Sequence, residues 1–272
     1  MDWNQAIKYG QLVKIAEGVR PGDEYQQTDK DKLTAAGYEY LQTIYGDDLA
    51  TDIDAHLGDT VSFGFLALSS AGELVAAIRG TDTILEWMHD AEFLMVPSPV
   101  RGVLGVTDDG FTAIYKSLRL KRLESDAPNV LVIDFIRSYV TTGEAKTVTL
   151  CGHSLGAALA TLLTADVAVN TGCGEPLSYT FASPRVGDHI FAGEYKKTVL
   201  WSYRIANRFD LVTKLPTAFP LPYEHVETHC ELKPTPDLIG SIPCEHHLTT
   251  YLHLMGQLVG STDFPLDSGC KA

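Results

Sequence analysis

Two apolar rhythms alternate along the chain, and each predicts an element. Residues 2–19 and 30–45 carry apolar positions at helical spacing (Ile7, Leu12, Ile15; Leu33, Ala36, Tyr40, Ile44), with a Pro21-Gly22-Asp23 turn between them. They predict outer helices packed on a sheet. Residues 61–68 and 73–78 read as strands joined by Ser69-Ser70-Ala71-Gly72. Within 82–96, Ile84, Trp87, Met88 and Ala91 fall on one side of a short helix and Glu86, His89 and Asp90 on the other. Residues 112–123 and 130–140 predict two more helices, the second ending at Thr141-Thr142-Gly143. Residues 177–181 and 199–205 predict further strands. The sharpest change of rhythm lies in 146–170. Val148 and Leu150 alternate with polar neighbours, Gly152-His153-Ser154-Leu155-Gly156 interrupts them, and an Ala/Leu-rich run without Gly or Pro follows. That order predicts strand, sharp turn, helix.

The turn carries the first piece of chemistry. Glycines two residues to either side of Ser154 let the backbone turn tightly and let strand and helix approach, which presents the serine hydroxyl outward as a nucleophile. An acyl-transfer transition state places negative charge on the former carbonyl oxygen, and fixed donors must meet it. Leu155 N–H, just after the nucleophile, is one candidate. Thr81, where the strand 73–78 runs into Arg79-Gly80-Thr81, is the other, although a threonine there also suits a helix cap. A serine of this kind needs an imidazole base, and the imidazole needs a carboxylate to hold its second nitrogen. Asp210, just past the strand 199–205, is that carboxylate candidate. In the order Ser, acid, His the base follows it, so His225, His229, His246, His247 and His253 are all candidates.

These motifs together resemble the class 3 lipases, an α/β-hydrolase family that includes filamentous-fungal lipases, plant phospholipase A1-type enzymes and a group of feruloyl esterases. Arg79-Gly80-Thr81 resembles the family's oxyanion position, and Thr180-Phe181-Ala182-Ser183-Pro184-Arg185-Val186-Gly187 a loop-organising element. Asp210-Leu211-Val212 before Leu215-Pro216 resembles the family's catalytic aspartate. His246-His247-Leu248-Thr249-Thr250-Tyr251-Leu252 resembles its C-terminal ending, which makes His246 the base and leaves His247 as the alternative. His225 and His253 are read as structural. The chain departs from the family at Asp108, where Val-His-x-Gly-Phe usually has its histidine. The resemblance implies an α/β fold with a mostly parallel central sheet, helices on both faces and a short helical lid. Residues 82–96 stand at the lid's place, with Trp87 and Asp90 at its spacing, and Ile84, Trp87 and Met88 form the face that covers the cleft or meets lipid.

Bulk properties narrow the partners. The 272 residues suit one α/β-hydrolase domain, with residues 1–60 a helical N-terminal part. A formal charge of −14 argues against nucleic acid and against anionic membranes. No apolar run reaches membrane-spanning length, and the first residues lack the pattern of a signal peptide, which fits either a cytoplasmic protein or a secreted mature form. Five cysteines cannot all pair within one chain; Cys151 reads as a buried thiol, and Cys230 and Cys244 suit a bridge if the protein is exported.

The expectation is therefore a serine carboxylic-ester hydrolase that acts on acylglycerols or other water-insoluble esters, at an oil–water interface, without cofactor or metal. Its activity is expected to fall as pH drops through about 6 to 7, where an ordinary imidazole gains its proton. A soluble-ester esterase of the feruloyl type, a serine peptidase on the same fold and a non-catalytic homologue that binds a ligand or partner are the rival readings.

Overall fold

A computed structural model describes residues 1–19, 25–47, 60–81, 94–120, 129–218, 222–226 and 228–272. Thirteen strands are present among the described residues: β1 (Tyr38–Asp47), β2 (Thr60–Ser69), β3 (Glu73–Ile78), β4 (Met95–Pro97), β5 (Val106–Asp108), β6 (Arg119–Leu120), β7 (Val130–Leu131), β8 (Thr147–His153), β9 (Leu177–Phe181), β10 (Gly187–Asp188), β11 (Trp201–Asn207), β12 (Tyr223–Glu224) and β13 (Thr228–Leu232). Nine form the central sheet in the order β13-β11-β9-β8-β3-β2-β1-β6-β7. The run from β13 to β3 is parallel, with Ile78 opposite Gly152 and His153 opposite Phe181. The strands from β3 to β7 continue it antiparallel. Parallel strands end together, so β3, β8 and β11 bring Gly80, Ser154 and Asp210 to one edge.

Side chains alternate across the sheet, and each strand feeds two cores. Leu74, Ala76 and Ile78 of β3 join Val148 and Leu150 of β8 beneath Leu155–Asn170, the helix that follows the sharp turn, with Phe111, Ile136 and Phe191 from three other helices. Val75, Ala77 and Cys151 face the opposite way, against Leu12 and Val13 of the helix Trp3–Glu17 and Tyr251 and Met255 of the helix Leu248–Val259. Helices thus cover both faces. The helix Leu155–Asn170 is buried almost all round because it lies between the sheet and other helices, which accounts for its lack of an amphipathic pattern. Among the described residues no helix is long and apolar enough to cross a membrane.

Several elements differ from the sequence reading. The helix expected over 30–45 is a shorter one, Gln27–Ala35, followed by β1, so Tyr40 and Ile44 lie in a strand. Gly37 at φ +86° takes a left-handed turn between them. The helix expected from 112 begins earlier, as Asp109–Ser117, and β6 follows it at once. The helix expected from 130 starts at Val132, after β7. Cys230 is a free thiol on β13, and Cys244 is bridged instead to Cys270 across 26 residues. That bridge ties the chain's end to the turn carrying His246. Of the stretch 82–96, residues 82–93, including Ile84, Trp87 and Met88, lie outside the described residues, and Met95 and Val96 belong to β4 rather than to a helix.

Candidate active site

The turn after β8 is built by what its glycines lack. A Cβ on Gly152 would run into the backbone of Gly156, and one on Gly156 into the backbone of Ile78 and Arg79. Strand, turn and helix can close on one another only without those atoms. Ser154 itself takes φ +57°, ψ −123°, a conformation that costs a non-glycine residue about 1–3 kcal/mol and is sustained by the packing around it. Although it stands where a helix cap would, its side chain makes no capping bond. Its hydroxyl turns instead toward His246.

His246 Nε2 lies 2.8 Å from Ser154 Oγ, and His246 Nδ1 lies 2.9 Å from Asp210 Oδ2. All three residues are buried, Asp210 completely. Since the carboxylate accepts from Nδ1–H, Nε2 is the free lone pair that faces the serine hydroxyl. Asp210 also accepts from Val212 N–H at 2.9 Å and from the Tyr251 hydroxyl at 2.7 Å, so its charge is held by three donors. Burial lowers the pKa of His246, the Asp210 bond pulls the other way, and the net direction is downward. The acid limb of any activity that needs the free base is therefore shifted toward lower pH than an unperturbed imidazole would give.

His246 is positioned by contacts that the sequence did not reveal. Tyr251 was legible only as part of an ending motif, yet its hydroxyl donates to Asp210 and accepts from Asn207 N–H at 3.0 Å. Asn207 Nδ2 donates to the Glu245 carbonyl at 2.9 Å and to the Glu245 carboxylate. Thr250 Oγ1 donates to the Cys244 carbonyl at 2.6 Å. These bonds fix both sides of the short helix Ile242–His246.

The other candidate histidines point elsewhere. His247 is half exposed, with Nδ1 3.3 Å from Asp267, so the alternative base does not face the serine. His225 Nε2 donates to the Thr213 carbonyl at 2.8 Å; burial and the neighbouring Arg204 push its pKa down to about 3, so it stays neutral. His253 donates through Nδ1 to the Phe264 carbonyl.

Donors for an oxyanion stand at the same edge. Leu155 opens the helix Leu155–Asn170, where backbone N–H groups are unpaired within the helix and the helix dipole is positive. Gly80 packs so closely that a Cβ there would lie 3.1 Å from Ser154 Cβ, which puts the end of β3, and half-buried Thr81 after it, beside Ser154. A cavity of about 440 Å³ opens here, lined by Thr81, His153 and His246 together with Glu17, Arg79 and Leu248.

Asp108, at the position where the family pattern has histidine, proves to be a scaffold residue. Its carboxylate accepts from Phe111 N–H at 3.1 Å as a helix cap and from the Tyr223 hydroxyl at 2.9 Å. Asp188 caps its own helix through Phe191 N–H at 2.9 Å and accepts from Val106 N–H at 3.1 Å. Arg185 donates to the carbonyls of Lys214 and Pro216. These three side chains stitch a small sheet, β12-β10-β5-β4, and its neighbouring loops.

Comparison with known proteins places the chain in a family. Residues 75–219 match the family model described as Lipase (class 3). The chain is 31% identical over 206 residues to Phospholipase A1-II 6 of Oryza sativa subsp. japonica, covering 66% of this chain and 50% of that protein. It is 31% identical over 216 residues to Phospholipase A1-Ialpha2, chloroplastic, of Arabidopsis thaliana, covering 68% of this chain and 44% of that protein. The chain thus spans about half the length of the curated relatives it matches. Among solved structures, a Rhizomucor miehei lipase propeptide complex superposes with a TM-score of 0.64 at 21% identity, covering 99% of this chain and 80% of that one. A lipase from Rhizopus microsporus var. chinensis gives 0.61 at 22% identity, covering 89% and 76%. The α/β-hydrolase fold is common to them.

Proposed function

Because this chain belongs to the class 3 lipases, we propose that it is a serine hydrolase of glycerolipid carboxylic esters, with Ser154 as nucleophile, His246 as base and Asp210 as its orienting acid. The observation that carries the reading is the unbroken hydrogen-bond chain from Ser154 Oγ through the His246 ring to Asp210. His246 Nε2 takes the hydroxyl proton as Ser154 Oγ bonds to the ester carbonyl carbon. The carbonyl oxygen gains the negative charge, which Leu155 N–H and Thr81 meet. As the tetrahedral centre collapses, the bond to the leaving alcohol breaks and His246 returns the proton to that alcohol. Water then enters by the same route, releasing the fatty acid and restoring Ser154. The imidazolium formed in each half is balanced by Asp210, whose own position is kept by Tyr251 and Val212 N–H.

The likeness to proteins named phospholipase A1 supports glycerophospholipids beside neutral acylglycerols as substrates. A panel tests both levels of the proposal. A fluorophosphonate probe is expected to label Ser154, and hydrolysis is expected with long-chain p-nitrophenyl esters, a triacylglycerol emulsion and phosphatidylcholine vesicles. Turnover confined to short soluble esters such as methyl ferulate overturns the lipid assignment. Absence of labelling at Ser154 overturns the hydrolase.

A further inference from the structure

Behind the base lies an ion pair that the catalytic cycle does not use. Glu17, the last residue of the helix Trp3–Glu17, places Oε1 2.9 Å from His153 Nδ1. The other nitrogen of that ring, Nε2, lies 2.8 Å from the backbone carbonyl oxygen of His246. His153 and His246 are both buried, and their ring centroids are 4.9 Å apart. A carbonyl oxygen accepts and cannot donate, so Nε2 carries a hydrogen. With a carboxylate facing Nδ1, the second nitrogen carries one as well. His153 is therefore an imidazolium in the folded protein.

The groups around the pair favour that state. Lys14 Nζ lies 3.8 Å from the second Glu17 oxygen, and Arg79 adds a positive field at the end of β3. Burial opposes the charge on Glu17, but His153, Lys14 and Arg79 outweigh it and hold the carboxyl below its usual range. Burial likewise opposes the charge on His153, and Glu17, the His246 carbonyl and Asp210 outweigh it in the other direction. Tyr251, whose ring stands 6.2 Å away, keeps its hydroxyl neutral. Seen from His246, Asp210 favours the protonated ring and so does the more distant Glu17, while His153 opposes it.

We propose that Glu17 and His153 are positioning residues for the base: they hold His246 by its backbone carbonyl and set a fixed positive charge against its ring, so that it stays unprotonated in mildly acidic water. This rests on His246 being the general base. The carbonyl in question belongs to the last residue of the short helix Ile242–His246, where helical hydrogen bonds have run out, so a buried donor here supplies a bond that the helix cannot. The first helix is thereby coupled to a triad, Ser154, Asp210 and His246, that lies in the later part of the chain.

Glu17→Gln separates the charge from the contact. A glutamine amide can donate to a neutral His153 Nδ1, and Nε2–H still donates to the carbonyl, so the bonds persist while both charges vanish. In ester hydrolysis the acid limb is expected to move to higher pH, and the rate at pH 5, relative to each protein's own plateau, to fall about threefold. Ring 15N–1H NMR at pH 7 is expected to show two protons on His153 in the wild-type protein and one in E17Q, with the His246 titration displaced upward in the variant. A singly protonated His153 in the wild type overturns the proposal without need of any variant, as does an unmoved acid limb or an unmoved His246 titration in E17Q. If His246 shifts as stated but no ester is hydrolysed, the pair stands and the hydrolase reading falls.

Discussion

The two ends of the parallel strands β3, β8 and β11 each hold a carboxylate in a nest of donors, and only one of them is suited to chemistry. Glu73, which opens β3, accepts from the hydroxyls of Tyr9 and Tyr38 at 2.6 Å each, from Thr149 Oγ1 at 2.8 Å and from Lys8 Nζ at 3.1 Å. Asp210, at the opposite edge, accepts from Tyr251, Val212 N–H and His246. Both are well satisfied, and both tie distant parts of the chain together. The donors on Glu73, however, hold their protons: burial and the neighbouring carboxylate push Tyr9 and Tyr38 far above the ordinary phenol range. On Asp210 one donor is an imidazole whose other nitrogen faces a hydroxyl, so a proton can arrive on the far side and be balanced. Partner chemistry separates a structural tie from a site.

Removing the hydroxyl breaks the active end most completely. Ser154→Ala is expected to cost roughly a millionfold in kcat, by comparison with triad removals in other hydrolases, and to abolish fluorophosphonate labelling while leaving the fold intact by circular dichroism. Replacing the third donor sharpens the contrast. Tyr251→Phe leaves Asp210 with two donors and Asn207 N–H without its acceptor, so kcat is expected to fall about tenfold with KM little changed. A drop seen only in KM speaks against the role of Tyr251 in holding the acid.

The smallest effect on turnover is expected at the other end. Glu73→Gln is predicted to leave kcat near wild type and to lower stability by about 2 kcal/mol in urea unfolding, because one charged acceptor serves four donors. The donors hold the Glu73 pKa below its ordinary value despite burial, so its contribution is full above the unfolded-state pKa and is lost as pH falls through the folded one. Acid unfolding below about pH 4 should accordingly be less steep in the variant than in the wild type. Equal slopes argue against the assignment.

Legibility followed the range of the forces involved. The turn at Ser154 was readable because Gly152 and Gly156 are required by local backbone approach. Asp210 was readable from its place after a strand. The stretch 30–45 misled because β1 has register shifts between Tyr40 and Gln42 and between Ile44 and Tyr45, which break the two-residue alternation that marks a strand. The Cys244–Cys270 pairing was not readable from spacing, since it depends on where the chain's end docks. The parts played by Tyr251, Asn207 and Glu17 were invisible for the same reason.

The sequence by itself determined the sharp turn, the serine in it and the order of the groups that follow, because glycine sterics and strand-to-helix rhythm act over a few residues. Only the tertiary structure decided which histidine meets the serine, across 92 residues, and that a glutamate from the first helix stands behind its neighbour. Contacts of that span are set by how helices settle on the two faces of a sheet, and no local pattern in the chain encodes where their ends will meet.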